Sequence, residues 1–147
     1  MTPDVNVLLA ASRKDHAHHM VAHGWLLETL ETAGQKSNLS LLTTVIASFL
    51  RLATHPKIFS VPTPIQHAVD FIDAILACPG VNLLAAQDEW PRLRALCLEQ
   101  NLGGNDMPDA WIAACVLQQQ EILATFDKDF IRLLPANQLH LLQPLTA

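Results

Sequence analysis

Charge is scarce in this 147-residue sequence, at 16% of residues, and positive charge is scarcer still. Nine Lys and Arg face fourteen Asp and Glu, for a net charge of −5. That balance argues against broad electrostatic binding to nucleic acid, which needs a basic surface; it does not exclude an acidic cleft that meets phosphate through metal ions. No apolar run approaches the roughly 18 residues of a membrane span. Met1-Thr2-Pro3-Asp4 lacks the basic and apolar regions of a secretory signal, so a cytoplasmic protein with no membrane segment is expected. Cysteines number only three, Cys78, Cys97 and Cys115, widely spaced and without a C-x-x-C pair. That excludes a disulfide framework and predicts small buried thiols in a reducing compartment. Internal repeats, low-complexity tracts and linkers are absent as well.

Apolar residues are plentiful: half the chain is hydrophobic and the mean hydropathy is +0.24. The length suits a single domain over residues 1–147, burying ~70% of its unfolded surface. Short β-rich runs alternate with helical periodicity, which predicts α/β organisation. Val5 to Leu9 reads by itself as a short buried strand. Asp15 to Ala33 reads as a helix with Ala17, Met20, Val21, Gly24 and Leu27 on one side, closed by Gly34. Gln35 to Ser40 reads as a loop. Further helices are expected over Thr43–His55, stopped by Pro56, from Thr63-Pro64 to Cys78, over Trp90–Leu102 and over Asp109–Gln120. Strands are expected at Val81–Ala86, Glu121–Phe126 and Leu139–Leu142. Such alternation favours a parallel sheet covered on both faces, with ligands beyond the carboxyl ends of its strands.

Three acids stand out against that frame. Asp4 lies at the first strand, Asp109 opens a helix after Gly103-Gly104-Asn105-Asp106-Met107-Pro108, and Asp127 follows Ile122-Leu123-Ala124-Thr125-Phe126. A parallel sheet can bring all three to one edge. Carboxylates so gathered suit a hard cation, Mg²⁺ or Mn²⁺, which takes oxygen ligands along with water and substrate phosphate. Each acid also has a purely structural reading. Asp106 can cap the helix, with Asp109 three residues on in a capping-box-like pair, Asp127 can close a turn, and Asp4 can be an exposed terminal residue.

Several blocks in order carry a more specific signal. They are Asp4-Val-Asn6-Val-Leu-Leu9, Asp15-His-Ala-His-His19 with Trp25-Leu26, Phe49-Leu-Arg51-Leu-Ala-Thr-His-Pro56, Gly104-Asn-Asp106-Met-Pro-Asp109-Ala-Trp-Ile-Ala-Ala114, and Leu123-Ala-Thr125-Phe-Asp127-Lys-Asp129-Phe130. Over almost its whole length the chain resembles the PIN-domain family and, within it, the VapC-like toxin ribonucleases of toxin–antitoxin pairs. The resemblance implies a three-layer α/β/α sandwich around a central parallel sheet, with Asp4 at the end of a strand shorter and earlier than Val5–Leu9. By position, Asp4, Asp109 and Asp127 match the family's metal-binding acids. Asn6 and Asp129 match residues close to that centre, and Asp106 is an extra acid, for a second ion or for a cap only. It further implies an Mg²⁺- or Mn²⁺-dependent endoribonuclease with an RNA substrate, a small antitoxin as partner and a homodimer. One departure stands out. Where the family often carries a helix Glu, Thr43-Thr-Val-Ile-Ala-Ser-Phe49 has no acid; Thr44 and Ser48 offer only hydroxyls. That absence supports the rival reading, a scaffold that kept the fold and lost the chemistry; a structure-specific DNA nuclease is a third, since fold does not choose substrate.

The remaining features divide between site and scaffold. Arg51 suits either an RNA phosphate or an internal ion pair, and Lys128 is the second basic candidate for phosphate contact. His16, His19 and His23 fall on one face of the expected helix, a spacing that can bind zinc but reads better as partly exposed polar surface. Trp25, Trp90 and Trp111 read as core or interface residues rather than base-stacking platforms.

Overall fold

A computed structural model describes residues 1–36 and 38–145. Strand β1 is only Thr2–Pro3, because Asp4 turns the chain at once into helix α1, Val5–Ser12. Asp4 holds extended backbone (φ −73°, ψ 166°) and its carboxylate accepts the Val5 N–H at 2.7 Å, satisfying a helix-terminal donor. The strand expected at Val5–Leu9 is therefore a helix. A five-residue run whose one polar residue is Asn6 is compatible with either, and the Asp4 cap decides. The shorter, earlier strand implied by the family resemblance is present.

Helix α2, His19–Thr32, follows; strand β2, Leu39–Leu42, leads directly into α3, Thr43–Ala53. Next come α4, Ile65–Leu76, strand β3, Val81–Leu84, and α5, Trp90–Glu99. Helix α6, Met107–Gln119, strand β4, Leu123–Thr125, and strand β5, Leu139–Leu141, complete the order. Two expectations need correction here. Strand β2 begins inside the segment read as a loop, Gln35–Ser40, of which Ser37 lies outside the described residues. Helix α2 starts at His19 rather than Asp15 and buries Ala22, Trp25, Leu26 and Thr29, while Met20 and Leu27 face solvent. The face packed inward is the i, i+3, i+4, i+7 stripe Ala22, Trp25, Leu26 and Thr29, not the expected stripe of Ala17, Met20, Val21, Gly24 and Leu27.

β1 pairs in parallel with β4, and β4 with β5; β2 pairs in parallel with β3. The strands form two ladders, β1-β4-β5 and β2-β3, linked where the Ser40 N–H donates to the Met1 carbonyl at 2.8 Å. All four residues of β2 and all three of β4 are buried, as a sheet covered on both faces requires. Helices α1, α2 and α3 pack together, α3 meets α4, and α5 pairs with α6, which makes the expected α/β/α sandwich. No helix among the described residues is long and apolar enough to cross a membrane.

Arg13, 9% exposed, ties the end of α1 to the Phe59–Thr63 loop. Its guanidinium stacks on Phe59 at 3.8 Å and donates to Asp15, Thr63 Oγ1 and the Val61 carbonyl, so this buried cation is both paired and hydrogen-bonded. Cys115 is buried as expected, and its thiol is pushed up to about 11 by burial and by Glu89. That excludes it as a nucleophile. Cys78 and Cys97, expected to be buried, are only half-buried, because each sits at a helix end rather than under the sheet.

Two turns meet where Gly34 (φ +81°) approaches Gly80 (φ +77°). A Cβ on Gly80 would run into the Gly34 amide and lie 2.6 Å from the Ala33 carbonyl carbon, whereas one on Gly34 would sit 3.6 Å from Gly80 Cα. Both substitutions carry the left-handed penalty of roughly 1–2 kcal/mol, and only Gly80→Ala adds a backbone collision. Chemical denaturation should show Gly80→Ala clearly less stable than Gly34→Ala. Equal losses would contradict the close approach.

Candidate active site

The β1–β4 ladder builds the site. Its register sets Pro3 opposite Ala124, so Asp4 leaves the sheet level with Thr125, and Asp127 follows two residues later at the same carboxyl edge. Asp4 is 5% exposed. Thr125 Oγ1, fully buried, donates to Asp4 Oδ2 at 2.7 Å. The same oxygen accepts the Asp127 N–H at 3.0 Å and Asn6 Nδ2 at 3.4 Å. One donor and two acceptor positions are all that a hydroxyl has, and all are used. Asn6, on the first turn of α1, also accepts the Phe126 N–H through Oδ1 at 3.5 Å. Asp127 in turn accepts the Asp129 N–H at 2.9 Å. His18, just before α2, stacks on Phe126 with ring centres 4.9 Å apart, which braces the segment that carries Asp127.

Asp109 arrives from the other layer, on the first turn of α6. Its carboxyl is pushed up to about 6, first by burial and then by the negative charges of Asp4, Asp127, Asp129 and Asp106. Asp4 is likewise raised by burial and by Asp127, against the hydrogen bonds from Thr125 and Val5. These acids therefore share one field. Asp106 is compensated differently. Its carboxylate bonds Arg132 at 2.7 Å and the Gly103 N–H at 3.1 Å, so it closes the short turn before α6 and makes no cap bond of its own to that helix. Its expected pairing with Asp109 in a capping box is not formed. Among the described residues, no cation forms an ion pair with Asp4, Asp109, Asp127 or Asp129. Nor do any three His, Cys, Asp or Glu side chains there stand close enough to enclose an ion.

A cleft of about 480 Å³ opens beside these acids, between α3 and α6. Asp4 and Asp109 line it with Thr44, Ser48, Arg51, Leu52, Met107, Trp111 and Ile112. The helix without its acid thus presents Thr44 and Ser48 to the cleft. Arg51 is exposed, and among the described residues it has no carboxylate partner, which removes the internal ion pair considered above. Lys128 is exposed next to Asp127. His16 precedes α2 in a turn, and His19 and His23 stack on one another at 5.1 Å, so the three do not form a helical face. Thr125 was not singled out from sequence. Its signal was there, a polar residue at the end of an apolar strand two positions before an acid, but threonine is too common in strands for that to stand out.

A parallel-sheet sandwich with acids at the carboxyl edge of its middle strands defines the class. The PIN-domain family profile matches residues 1–133, and the chain belongs to that family. Within it the chain groups with the VapC ribonucleases. It is 37% identical to Ribonuclease VapC31 of Mycobacterium tuberculosis over 146 residues, 97% of each chain. Ribonuclease VapC43 of the same organism is 36% identical over 130 residues, 88% of this chain and 86% of that one. Among solved structures, a crystal structure of VapBC2 from Rickettsia felis bound to a DNA fragment from their promoter superposes with a TM-score of 0.66. It covers 97% of this chain and 98% of that one, at 15% identity, a likeness of fold alone.

Two outcomes follow. Thr125→Val leaves buried Asp4 with the Val5 N–H as its remaining donor and should cost about 1–3 kcal/mol at pH 7; Thr125→Ser should restore most of it. Denaturation that finds the Val variant as stable as the Ser variant would contradict the role of the hydroxyl. In chelator, stability should fall as pH rises from about 4 to about 6. Folded Asp109 keeps its proton to about 6 and the unfolded chain releases it near 3.8, so the unfolded state holds fewer protons across that window. Asp4 acts in the same direction, and His16, lowered by burial, acts oppositely near its ordinary value of 6.5. Comparison with Asp109→Asn isolates Asp109: urea midpoints of the wild type should drop more across the window than those of the variant. Parallel profiles would refute the raised carboxyl.

Proposed function

We propose that this chain is a divalent-ion-dependent endoribonuclease, acting in the cytoplasm as the toxin of a toxin–antitoxin pair. The observation that supports the reading is a half-buried Asp109 carboxyl, raised to about 6 first by burial and then by the charges of Asp4, Asp127, Asp129 and Asp106. The kinship with ribonucleases at 36–37% identity supports RNA as the substrate.

The donor set is all oxygen, which fits Mg²⁺ or Mn²⁺ and not a softer metal. Mg²⁺ keeps much of its water and needs only one or two direct carboxylates, so the lack of a ready-made three-residue cage does not disqualify the site. Asp4 and Asp127 are the direct ligands on this reading, with Asp109 as the third. When bound, the ion lowers the pKa of a water and offsets charge developing on phosphate oxygens. The protein's own part is positional. Thr125 and the Val5 N–H fix both oxygens of Asp4, and the Thr125 hydroxyl orients the backbone that carries Asp127. Asn6 completes that bracing, and Asp129 adds negative charge. Arg51 and Lys128 are the candidates for phosphate contact. With a net charge of −5 the protein has little attraction for a duplex, so single-stranded or looped RNA is the expected substrate. An antitoxin that covers the acids with Arg or Lys, and a homodimer, complete the proposal.

One observation favours a second reading. Thr44 and Ser48 line the cleft where the family often has Glu, which weakens any second ion and suits a scaffold with little activity. The expected outcome is RNA cleavage in Mn²⁺ that stops in EDTA and falls at least 100-fold in Asp4→Asn and Asp127→Asn. Mn²⁺ should also raise the unfolding temperature through linkage, less so in Asp109→Asn. Cleavage of duplex DNA as readily as RNA would overturn the substrate assignment. No cleavage of a broad RNA panel by metal-loaded, antitoxin-free protein would favour the scaffold.

A further inference from the structure

The cleft between α3 and α6 is lined by more than the acids Asp4 and Asp109. Its lining also includes Met107 and Trp111 on α6 and Thr44, Ser48 and Arg51 on α3. Trp111 is 46% exposed and Met107 37% exposed, so an indole presents a large apolar surface to solvent within a few residues of the acids. Such exposure costs hydrophobic free energy that a buried Trp would recover, and core packing does not use this side chain.

We propose that Trp111 is a base-stacking platform, and that Arg51 holds the phosphate or base edge across the cleft. The occupant is one nucleotide of a single-stranded RNA, next to the bond to be cut. This rests on the ribonuclease reading and adds to it the residue that holds the substrate. Magnitudes decide which wall matters more. The net charge of −5 rules out affinity from a diffuse basic surface. A lone exposed Arg in salt contributes a few-fold at most. Stacking of one base on an aromatic side chain contributes about 5- to 150-fold and tolerates any base. Trp111 therefore dominates binding, and Arg51 sets its salt dependence.

The test is fluorescence anisotropy of the full chain with a labelled single-stranded oligoribonucleotide, in EDTA so that the strand stays intact. An abasic strand of equal length serves as control. Trp111→Ala and Trp111→Leu should weaken binding of the ordinary strand by about 5- to 150-fold, while Trp111→Phe stays within about threefold of wild type. Leu keeps an apolar side chain but no π face, so it separates stacking from general packing. The abasic strand should bind weakly and equally to wild type and Trp111→Ala. Arg51→Ala should flatten the salt dependence by about 0.7 in the log–log slope, one phosphate contact. Melting temperatures within a few degrees of wild type would show that the exposed substitutions leave the fold intact.

Wild-type affinity in Trp111→Ala, an abasic strand bound as tightly as the ordinary one, or no binding of either strand by wild type would each overturn the proposal. Unchanged RNA affinity together with a lost protein partner would assign this wall to protein docking and overturn it too. Parallel cleavage in Mn²⁺ separates the two levels. Cleavage with the same KM in wild type and Trp111→Ala sinks the platform and keeps the nuclease, and Trp111-dependent binding without cleavage keeps the platform and sinks the nuclease.

Discussion

Two backbone hydrogen bonds of 2.8 Å, from Thr2 N–H to the Ile122 carbonyl and from Asp4 N–H to the Ala124 carbonyl, hold the start of the chain against a strand some 120 residues away. The site depends on that parallel pairing. It sets Asp4 level with Thr125, so that one buried hydroxyl serves both Asp4 and the approach to Asp127. A slip of one residue would turn the Thr125 side chain to the other face and leave Asp4 buried with a single donor. The Asp4–Thr125 hydrogen bond itself opposes such a slip, because losing it would leave a buried carboxylate short of a donor.

Concentrating negative charge here is costly, and the protein distributes that cost unevenly. Asp106 has Arg132. Asp4 has two hydrogen bonds that partly offset its burial. Asp109 has neither and keeps its proton to about 6. On the proposed reading, a cation would relieve the repulsion already built in among these carboxylates. Outside the acids the same cleft mixes apolar Leu52, Met107, Trp111 and Ile112 with Thr44, Ser48 and Arg51.

Much of this was legible along the chain. The α/β alternation, α3, α4, α5, α6 and strands β3, β4 and β5 follow from periodicity and from Pro and Gly stops. The ordered blocks around Asp4, Asp109 and Asp127 pointed to the family. Other features were hidden for identifiable reasons. Val5–Leu9 has Asn6 as its one polar residue, too little to show a period, and the Asp4 cap starts it as a helix. Strand β2 is four residues entering a helix without a break, and its neighbours on the sheet are what make it a strand. On α2 two apolar stripes competed, and packing against α1 settled which faces inward.

The sequence by itself determined which residues carry charge, how little of it there is, and that acids sit at the boundaries of strands and of a helix. Those are local facts, set by residue type and near neighbours. Tertiary structure alone decided that Asp4 and Asp127 share one hydroxyl, that Asp106 belongs to Arg132 rather than to the cap of α6, and that Trp111 and Arg51 line one cleft. Each depends on contacts between residues tens of positions apart or more, made only when the sheet closes and the helices cover it. No spacing along the chain encodes that distance.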